Sequence, residues 1–235
     1  MLLNSKFNLK FDVEDKDGLI KKVYLVVVFQ FHLILYFVSL VALRQECLEW
    51  IKSHFLIYLL CLIALPVILL IAFLNKQHVK KEPNNYLYVI SFTIIEGYLI
   101  ACLCSSISPG FVLMGVLMVF LTFLGLLVFA AKKENMPLSY RWALTSTLTF
   151  TILPTIAWFI WWPEHILYQL SYLLAAHLLS LYVMFKSKRI VKKYKMNEYV
   201  VATLFFYKDL VEVFVCLFDL VQNVCCSYRS RTNDR

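Results

Sequence analysis

Seven stretches of about 20 mostly apolar residues constrain this chain more than any other feature. They are Val23–Leu43, Phe55–Leu74, Tyr86–Ile107, Phe111–Ala131, Trp142–Trp162, Ile166–Phe185 and Tyr199–Val221. A helix needs about 20 such residues to cross the hydrocarbon core of a bilayer. Lipid offers no partner to a backbone N–H or C=O, so each run must close its own hydrogen bonds as a helix. The runs and their short polar connectors use nearly all of the 235 residues, which leaves no length for a separate soluble domain. Hydrophobic residues make up 61% of the chain and its mean hydropathy is +0.73, more apolar surface than a soluble fold of this size can hide. Soluble enzymes, disordered proteins and disulfide-stapled secreted modules are thereby excluded. The expected fold is an all-α integral membrane bundle of seven helices. Residues 1–20 read as a mixed-charge N-terminal tail, 21–222 as the membrane domain and 223–235 as a short C-terminal tail. No basic n-region precedes an apolar run at the N-terminus, so a cleavable signal peptide is not apparent.

The formal net charge is +8. On a soluble protein that would suggest nucleic acid, but here membrane topology accounts for it. Seventeen Lys and Arg fall on the side of the N-terminus, including Lys186, Lys188, Arg189, Lys192, Lys193 and Lys195 after the sixth run, and five fall on the other. Cytosolic loops collect such residues, so the N-terminus is expected in the cytosol. That orientation is opposite to a G-protein-coupled receptor. The final run is interrupted by Asp209, Glu212 and Asp219. A re-entrant last segment therefore stays open, and it would return the tail's arginines to the basic side.

Charged side chains at mid-depth in lipid cost roughly 2.5–3.5 kcal/mol on insertion scales and mark candidate functional positions. Glu96 lies in the third run. Lys208, Asp209, Glu212 and Asp219 lie in the seventh. At about 100° per residue, Asp209, Glu212, Cys216 and Asp219 share one stripe, which must face the bundle interior or water. Carboxylates are the hard oxygen ligands that Ca²⁺ prefers, so transient Ca²⁺ at Asp209 is one expectation. Acids at the membrane surface, or acids paired with lysines, are the alternative. Lys186, closing the sixth run, reads on its own as a snorkelling anchor. No two histidines have metal-binding spacing on one helix, and no serine has a His–Asp pattern near it, so an intramembrane enzyme lacks a catalytic set. No cofactor is implied. Seven cysteines without a CxxC give no disulfide framework. A Cys47–Cys104 pair and lipidation of Cys225 and Cys226 stay open. Pro66 and Pro154 are expected to kink their helices.

Three segments then read together: Lys21-Lys22-Val23-Tyr24 with Gln30; Pro83-Asn84-Asn85 with Phe92-Thr93 and Glu96-Gly97-Tyr98; and Glu198-Tyr199-Val200 with Ala202 and Tyr207-Lys208-Asp209-Leu210. This ordered pattern resembles the transmembrane BAX inhibitor-1 motif family, and its lifeguard and Golgi anti-apoptotic branch most closely. The resemblance implies a seven-helix bundle of the endoplasmic reticulum or Golgi membrane, six helices surrounding the seventh. It implies a Ca²⁺ leak from intracellular stores that modulates intrinsic apoptosis, with Ca²⁺ as permeant ion and Asp209, Glu212, Glu96 and Glu198 along its path. It also implies a pH-sensing aspartate pair, one from the sixth span and one from the seventh. Asp209 matches the second. Lys186 stands where the first is expected, and Asn197 replaces one acid before Glu198.

Two aspartates repel, whereas a Lys–Asp pair attracts. At ~4 Å and an effective dielectric of ~20 the difference is about −4 against +4 kcal/mol, much of it removed by desolvation. Lys186 is then expected to clamp an ionised Asp209 and abolish the pH latch. The alternative is a non-conducting membrane protein that regulates cell death or stress signalling through anti-apoptotic or receptor membrane partners.

Overall fold

The computed structural model describes residues 2–79, 81, 83–106, 108–132, 139–161, 166–204 and 206. All regular structure among them is helical: α1 (Leu2–Leu43), α2 (Gln45–Ser53), α3 (Phe55–Leu74), α4 (Lys76–Val79), α5 (Asn84–Ser106), α6 (Pro109–Lys132), α7 (Tyr140–Trp161) and α8 (Ile166–Lys193). A short 3₁₀ turn, Met196–Glu198, leads into helical turns at 199–204 and 206.

Among the described residues, six helices are long and apolar enough to cross a membrane: α1 from Gly18, α3, α5, α6, α7 and α8. They coincide with the first six apolar runs. The rest of the seventh run, with Asp209, Glu212 and Asp219, lies outside the described residues, as do Cys216 and 223–235 with Cys225 and Cys226.

Three connections differ from the sequence expectation. The N-terminal tail continues α1 as a single helix from Leu2. The first connector folds into α2, which buries Leu48 and Ile51 and turns Glu46, Glu49 and Lys52 outward. Glu46 in the first turn and Lys52 in the last complement the helix dipole. The sixth span does not end at Phe185 but continues for two turns to Lys193. Lys and Arg are good helix formers, and Lys192 and Lys193 suit a helix C-terminus.

α1 packs against α5 and α6, α7 lies between α6 and α8, and α3 packs on α5. Lipid tails are as apolar as leucine, so close backbone approach and buried polar contacts hold such helices together. A Cβ on Gly125 would meet the Ser146 backbone oxygen of α7 at 3.0 Å. The hydroxyls of α7 turn inward on their own helix: Thr147 Oγ1 donates to the Ala143 carbonyl, Thr151 to Thr147 and Thr155 to Thr151. This back-bonding hides the hydroxyls from lipid, and the last of these bonds brackets Pro154. Cys47, Cys61, Cys102 and Cys104 carry free thiols, so Cys47 and Cys104 are not paired.

Candidate functional site

Glu96 lies near the midpoint of α5 and is 1% exposed. The residue after it explains its depth. A Cβ on Gly97 would stand 3.1 Å from Phe37 Cδ2 and 3.5 Å from Ile34 Cγ1 of α1. Glycine lets the two helices close together, and the Glu96 carboxyl is carried into the interior with them.

One turn before, Thr93 Oγ1 donates to the Val89 carbonyl at 2.7 Å and accepts from Gln30 Nε2 of α1 at 2.9 Å. Gln30 is fully enclosed, and its Oε1 has no hydrogen-bond partner among the described residues. A buried amide oxygen left so is costly. The α1–α5 seam therefore buries an amide and a hydroxyl, and α5 buries the Glu96 carboxyl one turn farther along, at the depth where lipid tolerates such groups least.

A second group of contacts gathers at the end of the bundle where α1 enters the apolar region. Ser187 Oγ of α8 gives its one proton to the Val183 carbonyl, so the 2.7 Å contact with the Tyr24 hydroxyl has tyrosine as donor. The Tyr86 hydroxyl meets the Tyr199 hydroxyl at 3.0 Å, and Lys22 Nζ sits 5.2 Å above the Tyr199 ring. Beyond Tyr199, Val200, Val201, Ala202, Thr203, Leu204 and Phe206 are all buried. The Phe206 ring packs 6.0 Å from Phe123 of α6 and 6.4 Å from Tyr24 of α1.

Glu198 occupies the turn before these residues. Its Oε2 accepts from the Lys195 backbone N–H at 3.3 Å and so caps the start of the turn. Tyr86, which contacts the neighbouring Tyr199, precedes Glu96 by ten residues in α5, about 15 Å along the axis. Glu198 is thus at the mouth of the bundle and Glu96 in its middle. Lys186 is half-buried on α8 with its ammonium 5.4 Å from the Tyr182 ring centroid. Asp209 and Glu212 lie outside the described residues, so the expected Lys186–Asp209 contact does too. Among the described residues, no three His, Cys, Asp or Glu side chains gather as a metal site.

A family model described as an inhibitor of apoptosis-promoting Bax1 matches residues 16–224. The chain belongs to this family. Protein LIFEGUARD 1 of Arabidopsis thaliana is similar to it, 25% identical over 173 residues that cover 69% of each chain. No solved structure matches the chain. The protein is therefore an integral membrane member of the Bax1-inhibitor family, whose name describes anti-apoptotic action.

Family membership also gives meaning to the contacts above. The three sequence segments that carry the resemblance meet in space: Gln30 of the first contacts Thr93 of the second, Lys22 of the first lies over Tyr199 of the third, and Tyr86, the residue after Asn85, contacts Tyr199. The sequence pattern contains Lys22, Gln30, Thr93 and Tyr199 without assigning them a task, and it does not include Tyr86. Their signal was present as isolated polar residues in apolar runs, but a single sequence does not say which two meet.

Proposed function

We propose that this protein is a Ca²⁺ leak pathway of an intracellular store membrane, in the endoplasmic reticulum or Golgi, with its N-terminus in the cytosol. Through store content it modulates intrinsic apoptosis, and it acts as a transport protein rather than an enzyme. The observation that carries the reading is Glu96: a carboxyl group 1% exposed, midway along a spanning helix that also buries Thr93 against Gln30. Ionisable groups at that depth are retained where they serve an ion or proton path.

A central seventh helix is part of the proposal, with Asp209 and Glu212 continuing the acidic path and Glu198 at its mouth. It is supported by the burial of residues 200–204 and 206 on every side, since a helix enclosed all round belongs inside a bundle. The basic end of the bundle, from Lys21 and Lys22 to Lys195, supports the cytosolic orientation. Lys186 in place of an aspartate implies a latch clamped by attraction to Asp209 instead of one that titrates.

A second reading draws on that same lysine. A fixed cation on the path repels a divalent ion, and a closed scaffold would act through anti-apoptotic or receptor membrane partners. Ca²⁺ efflux from proteoliposomes between about pH 6 and pH 8 separates the two. A wild-type leak that Asp209→Ala alters supports the channel. Silence in the wild type with a pH-dependent leak in Lys186→Asp supports the clamped latch on an intact scaffold. Silence in both, and in Asp209→Ala, leaves the interaction protein.

A further inference from the structure

The basic end of α8 has a geometry of its own. Leu170, Leu174, Leu178 and Phe185 are exposed large apolar residues of this helix. Arg189 and Lys192 are exposed farther along it. At about 100° per residue all six fall within one stripe about 100° wide. The lipid-facing ridge of α8 therefore runs without interruption into a cationic ladder. From Leu174 to Phe185 the ridge rises about 16 Å, half of a ~30 Å hydrocarbon core and so the depth of one leaflet.

At the head of the ridge, the Arg189 guanidinium lies 4.3 Å from the Phe185 ring centre. This cation–π contact steadies the guanidinium, whose five N–H donors suit a bidentate anion. Lys188 Nζ is 4.0 Å from the ring centre of Tyr140 at the start of α7, tying the two helix ends together. Tyr140 and Trp142 are exposed there as an aromatic belt, with exposed Arg141 between them. Lys193 is exposed as well. Of the described carboxylates other than Glu198, Glu46 and Glu49 are on α2, Glu96 is in the core, and Asp12, Glu14, Asp15 and Asp17 are on α1 before Gly18, so none is on α7 or α8. Positive charge thus accumulates at the depth where a phospholipid headgroup sits, above an apolar track of acyl-chain length.

We propose that the α7–α8 corner is a binding site for a phospholipid whose headgroup carries a phosphomonoester. Its acyl chain lies along Leu174, Leu178 and Phe185, and its phosphate is held by Arg189 with Lys192 and Lys193. A phosphomonoester carries about two negative charges near neutrality and presents an array of oxygens to an Arg fork. A zwitterionic or singly charged headgroup cannot use the whole ladder. The site does not depend on whether the bundle conducts.

Native mass spectrometry of the full chain, released from phosphatidylcholine nanodiscs doped with phosphatidylinositol 4-phosphate or phosphatidylserine at equal total charge, tests the proposal. The wild type should retain the phosphomonoester lipid in preference. Arg189→Gln and Lys192→Gln should each reduce its binding about five-fold, and the double variant should bring the two lipids near parity. Arg44→Gln with Lys52→Gln, at the other end of the bundle, should leave the preference unchanged and controls for net charge. A preference that survives the double variant overturns the proposal. So does equal retention of phosphatidylserine by the wild type, or displacement of the lipid by soluble inositol phosphate at the same concentration, which would mean a site for the free anion. Circular dichroism of each variant confirms that the helical bundle is intact.

Discussion

α3 and α5 lie against each other and solve opposite problems. The apolar window of α3 has a mean hydropathy of 3.0 and only 6% of it is buried, while that of α5 has a mean hydropathy of 2.0 with half of it buried. The more apolar helix faces outward because lipid welcomes it on every side. The less apolar one is enclosed because it carries Thr93 and Glu96, and a bilayer tolerates such groups only among protein. α6 shows that the rule runs one way: at 2.8 it is nearly as apolar as α3, yet half-buried. Apolar residues fit either environment, so the polar residues decide which helix is inside.

The comparison can be broken most sharply by paired truncations. Phe92→Ala on α5 removes a ring that is 1% exposed and should cost about 3–5 kcal/mol. Leu60→Ala on α3, where the side chain is 58% exposed to lipid, should cost under about 0.5 kcal/mol. Unfolding by sodium dodecyl sulfate in bicelles measures both, and equal losses would show that α3 is enclosed after all. A charge on α3 is the next largest effect. Ile63→Arg is expected to lose about 3 kcal/mol of insertion free energy, read as the fraction of glycosylation-tagged chains that insert this span. Full insertion would mean that a water-filled cavity reaches that face.

Overpacking sharpens the contact with α1. Gly97→Leu should destabilise by about 1–3 kcal/mol, because its first added atom already stands 3.1 Å from Phe37. A neutral result would place α1 farther from α5 than the structure has it. The smallest effect belongs to the buried hydrogen bond. Thr93→Val removes the acceptor for Gln30 and should cost about 0.6 kcal/mol, the average worth of such a bond between spanning helices. In a double-mutant cycle with Gln30→Leu, a coupling of zero would show that the two side chains do not cooperate.

Some of the fold was legible because it depends on length alone. The first six apolar runs, those within the described residues, reappear as spanning helices, and Pro109 opens α6 directly after Ser108, whose carbonyl accepts from Phe111 and Val112. Helix propensity showed less well. The basic segment after Phe185 reads as a connector because its residues are charged, yet charge does not end a helix, and α8 continues to Lys193. The segment 44–54 reads as a loop, but its spacing of Leu48 and Ile51 supports the amphipathic α2. At the candidate site, the cost of a carboxyl in hydrocarbon singled out Glu96. Glu198 was grouped with it by the family resemblance, whereas the fold makes it the cap of a turn at the bundle's mouth.

By itself the sequence determined that this chain is a membrane protein, how many apolar runs it has, which side its lysines favour and which family it resembles. Each of these follows from local quantities: the length of an apolar run, the sign of a loop, the order of short motifs. Only the tertiary structure decided that Gln30 meets Thr93, that Tyr24 reaches Ser187, and that α3 is far more exposed than α5. The reason is the solvent. Water marks the inward face of a soluble helix by making its outward face polar, but a bilayer accepts apolar side chains on both faces. The inward direction is left to a few polar groups and glycines, whose partners are chosen across 63 or 163 residues of chain.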